Sequence, residues 1–148
     1  MTSKTKPTIK DQELLKDLSK LYTAVVCDVL DGLGYTTQAL PSELRPLTPL
    51  KKICGRVFPA HAIRVREIPK EPYKLEIGAV DAMAKGDVFV VDAAGDGSCG
   101  FWGELLTTAC LFKEVRGVVM TACTRDMWKI KNLKFPIFGV GYHPADSK

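Results

Sequence analysis

Residues 100–126, GFWGELLTTACLFKEVRGVVMTACTRD, carry the clearest structural signal in the chain. Glycines bracket the start of a helix at residues 103–106, the helix extends to about Val115, and a buried strand follows over residues 117–122. A helix N-terminus presents free N–H groups and a partial positive charge, which attract a carboxylate or a phosphate. Open α/β sheets bind ligands at the carboxyl ends of their strands. The stretch therefore predicts an anion site beside Arg125 and Asp126, which follow the strand.

The segments that follow residue 73 alternate between helical and strand patterns. Helices are predicted over residues 73–83, 103–115 and 127–133, and buried strands over residues 88–91, 117–122 and 136–140. This alternation indicates βαβ crossovers, so the sequence predicts an α/β fold with a largely parallel sheet.

The first part of the chain gives weaker signals. Apolar residues at helical spacing predict a helix over residues 11–22, and a second follows with Thr23 as its N-cap and Gly34 as its C′ residue. Residues 36–53 show no periodicity, and residues 55–65 have strand character, with Pro59 indicating an edge strand, a bulge or two short strands. Residues 92–97 and 141–148 are predicted loops.

Composition and charge restrict the possible classes of protein. A chain of 148 residues suits one domain, so we expect a loose basic tail over residues 1–10 and a single domain over residues 11–148. The net charge of +4 is scattered and forms no basic stripe, which argues against a nucleic-acid partner. Five cysteines without a C-x-x-C pair, no signal-peptide pattern and no long apolar run indicate a cytoplasmic protein with reduced thiols and no membrane span.

Five residues outside residues 100–126 have side chains of chemical interest. Asp28 and Asp31 lie three apart on the second predicted helix, where a solvated face is the favoured interpretation over a functional pair. His61 has no second candidate metal ligand near it in the sequence. Asp92 and Asp96 follow a buried strand at the level predicted for Arg125, and a plain strand-to-helix turn is the alternative.

Arg125, Asp126 and Glu104 together suggest one reaction class. An arginine fork suits a carboxylate or a developing enolate oxygen, and an aspartate suits Mg²⁺ or Mn²⁺. Glu104 in the first helical turn adds a carboxylate that can ligate a metal-bound water or act as a base. Carbon–carbon cleavage beside a 2-oxo acid uses such groups. The alternative is a salt-bridged turn and a glutamate that only favours its helix dipole.

Several motifs of the chain resemble the family that joins the 4-hydroxy-4-methyl-2-oxoglutarate aldolases to the regulator of ribonuclease activity A. The resemblance covers about residues 23–148 and is most specific in the spacing from Gly103 to Arg125 and Asp126. It implies a swivelling β/β/α-type domain, and trimers or pairs of trimers with active sites at subunit interfaces. The motifs are DVLDGLG at residues 28–34, GR at 55–56, GDV at 86–88, GELL at 103–106, GVV at 117–119, RD at 125–126, FPIF at 135–138 and Gly141.

The resemblance also implies roles for individual residues. Asp126 would hold the divalent metal, Arg125 would contact the 2-oxo acid, and Gly103, Glu104, Leu105 and Leu106 would form the substrate-binding helix start. The implied reaction is cleavage of 4-hydroxy-2-oxo acids to pyruvate, or decarboxylation of oxaloacetate, through one enolate. The alternatives are a non-catalytic binding protein of the ribonuclease-regulator type and an inactive paralogue or fragment.

Three departures from the family pattern affect these expectations. Thr121 and Ala122 stand where Asp-Gly usually ends the strand, and Lys129 stands where aldolases commonly have an acidic residue. The chain ends at residue 148, so the C-terminal strands of longer members are expected to be missing. Trp102, beside the helix start, is expected to pack in the core or at a subunit contact.

Overall fold

The computed structural model describes residues 9–147, and the side chain of Ile9 is outside this description. The chain divides after Leu40 into two compact units. The first contains α1 (Ile9–Leu18) and α2 (Thr23–Gly32). The second contains β1 (Arg45–Pro46), β2 (Arg56–His61), α3 (Lys74–Ala82), β3 (Asp87–Asp92), β4 (Gly100–Trp102), α4 (Glu104–Phe112), β5 (Gly117–Met120), β6 (Cys123–Thr124), α5 (Met127–Ile130), β7 (Ile137–Gly139) and β8 (Gly141–Tyr142).

The predicted α/β fold with a largely parallel sheet is confirmed. Five strands form the main sheet in the order β1-β7-β5-β3-β2. The pairs β2–β3, β3–β5 and β5–β7 are parallel, and only the two-residue β1 is antiparallel to its neighbour β7. Pro59 lies in the edge strand β2, as the sequence predicted.

A second, three-stranded parallel sheet in the order β4-β6-β8 was not predicted. Residues 141–148 were expected to be loop, but residues 141–142 form β8, so that expectation is wrong there. These strands have two or three residues each, too few to show an alternating pattern in the sequence. Long-range pairing defines them, and an isolated bridge from Gly100 to Asp146 extends it.

Several predicted boundaries change for local reasons. Tyr22, not Thr23, is the N-cap of α2, and it makes no side-chain cap hydrogen bond. Gly34 follows the C-cap Leu33 with φ +89°, as expected of a C′ residue. Helix α4 ends at Phe112 instead of Val115, because Glu114 adopts φ 56° and cannot continue a right-handed helix.

The core lies between the main sheet and helices α3 to α5, and Trp102 is at its centre. The indole is fully buried, stacks on Phe135 with ring centroids 6.3 Å apart, and lies 5.7 Å from the ring of Phe89. Its Nε1–H donates to Thr107 Oγ1 at 2.8 Å, which satisfies the buried donor. Trp102 is therefore a core residue, as expected, and it anchors β4 directly before the start of α4.

No helix within residues 9–147 is long and apolar enough to cross a membrane. No disulfide bond joins any of the five cysteines, all of which lie within residues 9–147. The single domain expected over residues 11–148 stays a prediction.

Candidate functional site

The parallel pair β4–β6 brings the start of α4 beside Arg125 and Asp126. The N–H of Arg125 donates to the carbonyl of Trp102 at 2.8 Å, so the chain after β6 lies directly along the chain before α4. Gly103 is the N-cap of α4. The contact predicted between the helix start and the Arg125–Asp126 pair therefore exists, although the strands that make it belong to the unpredicted second sheet.

Asp126 caps helix α4 from outside the helix. Its Oδ2 accepts the N–H of Glu104 at 3.2 Å and lies 3.6 Å from Nε of Arg125. Its backbone is left-handed, with φ 57° and ψ 25°, an unfavourable conformation for a residue with a side chain. Such strain persists where the surrounding structure enforces it and is concentrated at functional sites. The side chain is 40% exposed, so part of it is open to solvent.

The site leaves no room for a side chain at Gly103. A Cβ at this position would lie 2.8 Å from Asp126 Oδ2 and 3.2 Å from Arg125 Nε. Gly100 faces a similar restriction, since its Cβ would meet the carbonyl oxygen of His143 at 2.5 Å and Cβ of Arg125 at 2.9 Å. The two glycines therefore let the backbone approach the charged pair closely.

Replacing Gly103 with alanine is expected to disturb the site more than the fold. Gly103 has φ −143°, which alanine adopts readily, so the added methyl group acts by displacing the side chains of Asp126 and Arg125. Misplacing catalytic groups by about 1 Å typically costs about 10²-fold in rate. We expect about this loss in pyruvate release from oxaloacetate, the reaction that the family resemblance implies, with the circular dichroism spectrum unchanged. Gly78→Ala is the control, because a Cβ there meets nothing within 4 Å.

The other predicted residues at the helix start contribute mainly through their backbone. Glu104 is half-buried and its N–H is taken by Asp126, and its side chain forms no ion pair within the described part of the chain. The side chain of Leu105 is 79% exposed, whereas Leu106 packs against the core. Among residues 9–147 the N–H groups of Leu105 and Leu106 have no hydrogen-bond partner, so these two donors remain for an anion.

Asp146 and Tyr73 complete the charged cluster, and sequence analysis missed both. Arg125 Nη1 lies 2.9 Å from Asp146 Oδ1, and the hydroxyl of Tyr73 donates to Asp146 Oδ2 at 2.5 Å. This hydrogen bond to a carboxylate raises the pKa of Tyr73, because it stabilises the protonated phenol. The N–H of Gly100 donates to the carbonyl of Ala145 at 2.7 Å and holds the segment in place. No sequence signal in residues 141–148 marks Asp146.

Glu76 on α3 is a further acidic group that sequence analysis gave no role. Burial is the main cause that raises the pKa of this carboxyl to about 7, the charge of Asp146 raises it further, and Arg125 opposes both. Its Oε1 is shielded from solvent and has no hydrogen-bond partner within residues 9–147. The only sequence signal was a glutamate within an otherwise apolar stretch of the predicted helix 73–83.

The raised pKa of Glu76 predicts a pH-dependent stability difference from Glu76→Gln. The carboxyl binds its proton more tightly in the folded state, so its contribution is most favourable below about pH 4.5 and is lost as pH rises through about 7. We expect the unfolding free energy of Glu76→Gln to exceed that of wild type by about 1–2 kcal/mol at pH 8 and to match it near pH 4.5. The difference at pH 8 is no larger because water screens part of the half-buried charge. Urea unfolding at both pH values measures this, and an equal difference at both would contradict it.

Two clefts of about 350 and 330 Å³ lie next to Arg125 and Asp126 without including them. Asp146 contributes to the first and Tyr73 and Glu76 to the second, whereas Arg125 and Asp126 line neither. Arg125 and Asp126 lie on more open surface, with side chains 32% and 40% exposed. The clefts and the charged groups therefore lie in adjacent places. The candidate site is at Arg125 and Asp126, because the charged groups converge there.

The remaining acidic candidates have local partners. Asp92 accepts the N–H of Ala94 at 2.9 Å and the hydroxyl of Thr121 at 3.0 Å, and its Oδ2 lies 3.5 Å from His61 Nδ1. These hydrogen bonds, rather than the histidine, are the main cause that lowers the pKa of Asp92. Asp96 accepts the N–H of Ser98. These contacts match the structural interpretation of the turn.

Asp28 and Asp31 are exposed on α2, in keeping with a solvated face. Two of the departures from the family pattern have partners in the structure. Thr121 accepts the N–H of Ala93 at 2.7 Å and so joins the ends of β3 and β5. Lys129 Nζ lies 4.7 Å from the centroid of the Trp128 ring.

The residues present fit a weakly held divalent cation better than a protein-caged one. Within residues 9–147, no group of three or more histidine, cysteine, aspartate or glutamate side chains could hold a metal ion. Mg²⁺ commonly binds through one or two carboxylates and completes its shell with water and substrate oxygens. Asp126, strained and partly exposed, suits that mode of binding.

Comparison with known proteins gives one family and several relatives. The model of the RraA-like family, described as Aldolase/RraA, matches residues 23–148. Protein DlpA of Legionella pneumophila is 30% identical over 137 residues, which is 91% of this chain and 22% of that protein. A putative 4-hydroxy-4-methyl-2-oxoglutarate aldolase of Halalkalibacterium halodurans is 30% identical over 126 residues, which is 85% of this chain and 55% of that protein.

One solved structure agrees with the family match. RraAS2 of Streptomyces coelicolor, described as an unusual member of the RNase ES inhibitor RraA protein family, superposes with a TM-score of 0.82 at 26% identity. The match covers 93% of this chain and 68% of RraAS2. The chain thus corresponds to about half or less of the two curated relatives named above and to about two thirds of this structure.

Proposed function

The chain belongs to the RraA-like family, and on that premise we propose that it is a divalent-metal-dependent lyase that acts on 2-oxo acids. The observation that carries the proposal is the contact between Arg125, Asp126 and the start of α4. This contact brings together a guanidinium, a carboxylate on a left-handed backbone and a helix start with two free N–H groups. The substrates proposed are 4-hydroxy-2-oxo acids, cleaved to pyruvate, and oxaloacetate, which loses carbon dioxide.

Each residue of the group has a proposed task. Arg125 orients the carboxylate of the 2-oxo acid with its planar fork. Asp146 is the carboxylate partner of this fork in the structure. Asp126 holds Mg²⁺ or Mn²⁺, and when bound the cation would withdraw negative charge from the oxygen on C2 of the substrate. The N–H groups of Leu105 and Leu106 hold a second anionic group, and Glu104 positions water at the helix start.

One site serves both reactions because their chemistry converges. Aldol cleavage and decarboxylation each break the bond to C3 of a 2-oxo acid and leave its electron pair on the C2–C3 enolate of pyruvate. Groups that stabilise that enolate therefore accelerate either reaction.

We also propose that the protein is a homo-oligomer, a trimer or a hexamer. Large apolar side chains on the helices are exposed, among them Phe112 at 91% on α4 and Trp128 at 68% on α5. Exposed apolar residues of this kind mark interaction surfaces when they are contiguous. Light scattering coupled to size-exclusion chromatography measures the assembly, and a monomer at micromolar concentration would contradict this part of the proposal.

Pyruvate formation from oxaloacetate tests the proposed function. Wild-type protein with Mg²⁺ or Mn²⁺ is expected to release pyruvate well above the rate of the metal alone, and EDTA is expected to abolish the difference. A folded protein with no rate above the metal background would contradict the lyase assignment.

A non-catalytic binding protein is the second candidate. Two observations favour it: Arg125 is already paired with Asp146, and Lys129 brings a positive charge three residues after Asp126. RraAS2 belongs to a family described as RNase ES inhibitors. This candidate predicts that the protein shows no metal-dependent turnover. It also predicts that the immobilised protein retains a protein partner, and that Arg125→Ala weakens this retention.

A further inference from the structure

Glu76 has the features of a functional carboxyl group rather than of a surface glutamate. It lies on α3 in the wall of the second cleft, which has a volume of about 330 Å³ and is also lined by Tyr73, Phe89 and Phe101. Its Oε1 is shielded from solvent and has no hydrogen-bond partner within the described residues. A buried polar atom without a partner is unfavourable, so its presence requires an explanation.

The surroundings of Glu76 prepare it for proton transfer. Burial, and then the charge of Asp146, raise the pKa of Glu76 to about 7, and Arg125 acts in the opposite direction. A carboxyl group that titrates near neutral pH can take up and return a proton with little driving force lost in either direction. The other titratable or charged groups around it are Tyr73, Asp146, Arg125 and Cys99, together with His61, Glu71 and Lys74 on the cleft wall.

We propose that Glu76 is a catalytic acid–base residue that exchanges a proton with C3 of the 2-oxo acid held by Arg125. The inference rests on the proposed lyase function and adds a role to it. Arg125 Nη1 lies 2.9 Å from Asp146 Oδ1, and Tyr73, which lines the same cleft as Glu76, donates to Asp146 Oδ2. A 2-oxo acid carboxylate that replaces Asp146 at the guanidinium would therefore lie beside this cleft. Aromatic and aliphatic side chains line much of this cleft and would limit the access of water to a carbon bound in it.

The proposed step balances without a further reactant. In cleavage of a 4-hydroxy-2-oxo acid, the Glu76 carboxylate takes the proton of the 4-hydroxyl group, the C3–C4 bond breaks, and C4 becomes a carbonyl carbon. The electron pair of the broken bond passes to the C2–C3 enolate. Glu76 then returns the proton to C3, which becomes the methyl group of pyruvate, and the carboxylate is restored.

Exchange of the pyruvate methyl protons with D2O isolates this step. In the presence of Mg²⁺, proton NMR of pyruvate with wild-type protein is expected to show loss of the methyl signal at a rate that rises with pH through about 7 and then levels off. Glu76→Gln keeps the shape of the side chain and is expected to lower the rate about 10²-fold and to abolish this pH limb. Glu71→Gln is the matched control, because Glu71 lines the same cleft but is exposed and paired with Lys74.

Affinity for oxalate, a planar analogue of the enolate, separates catalysis from positioning. If Glu76 acts on the proton, Glu76→Gln binds oxalate within about threefold of wild type while exchange is lost. Exchange by Glu76→Gln within about twofold of wild type would overturn the inference. Loss of exchange in Glu104→Gln while Glu76→Gln retains it would also overturn it. If Glu76→Gln fails to fold, Glu76→Asp is the second variant, with exchange expected about tenfold below wild type because its carboxyl group is withdrawn; an unchanged rate would overturn the inference.

The proposed function and this inference fail in different ways. Metal-dependent release of pyruvate from oxaloacetate, without wild-type exchange of pyruvate protons, would remove the role of Glu76 and leave the lyase function intact. No metal-dependent turnover of oxaloacetate by the wild-type protein would remove both.

Discussion

Replacement of Asp126 by asparagine is expected to lower metal-dependent pyruvate release from oxaloacetate by about 10²–10³-fold. The substitution removes the negative charge that would hold the cation but retains the size of the side chain. Asparagine also tolerates the left-handed backbone at this position, and its amide oxygen can still accept the N–H of Glu104. The loss is measured as kcat/KM at saturating Mg²⁺.

The stability of Asp126→Asn identifies the cause of the loss. Because the helix cap and the backbone conformation are preserved, we expect a melting temperature within about 2 °C of wild type, no more than the smallest shift that about 1 kcal/mol would cause in a domain of this size. Asp28→Asn on the exposed face of α2 serves as the control and is expected to behave as wild type in both assays. Full activity in folded Asp126→Asn would exclude Asp126 as the metal ligand.

Replacement of Arg125 by lysine is the second change with a large expected effect. A lysine ammonium keeps the positive charge but cannot present two parallel N–H donors to a carboxylate. It also cannot approach Asp126 and Asp146 from different nitrogen atoms, as Nε and Nη1 of Arg125 do. We expect kcat/KM for oxaloacetate to fall about 10²-fold, with a rise in KM as the larger part, since binding of the substrate carboxylate is what is lost.

Steady-state kinetics over a range of oxaloacetate concentrations separate the two parameters for Arg125→Lys. Arg45→Lys on the exposed edge strand β1 is the control for the loss of a guanidinium elsewhere on the surface. A kcat/KM for Arg125→Lys within about threefold of wild type would show that the fork of Arg125 does not bind substrate.

The main sheet was predictable because its strands carry strong local patterns. Residues 88–91 and 117–120 are continuous apolar runs, the pattern of parallel strands covered on both faces, and turn residues separate them from helices. The second sheet was not predictable, since β6 and β8 have two residues each and exist only through pairing with distant segments. Burial of Trp102, by contrast, followed from its size and position.

The candidate site was predictable in part for the same reason. The spacing of Gly103, Glu104, Arg125 and Asp126 is visible in the sequence, and the structure places these residues in contact. Asp146 lies in the segment after β8 and Glu76 on helix α3. The only sequence signal for either is that Glu76 is a glutamate within an apolar stretch, and this signal does not indicate where the fold places it. The residues that carry no local pattern are the ones that sequence analysis missed.

Calorimetric titration of the wild-type protein with oxalate tests most directly whether Arg125, Asp126 and the start of α4 form a metal-dependent site for 2-oxo acids. Oxalate mimics the planar enolate and requires no turnover. We predict that it binds in the presence of Mg²⁺ and at least about tenfold more weakly when EDTA replaces the metal or when Asp126 is asparagine. Oxalate affinity that is the same with Mg²⁺, with EDTA and in Asp126→Asn, or no binding under any of these conditions, would contradict the proposed site.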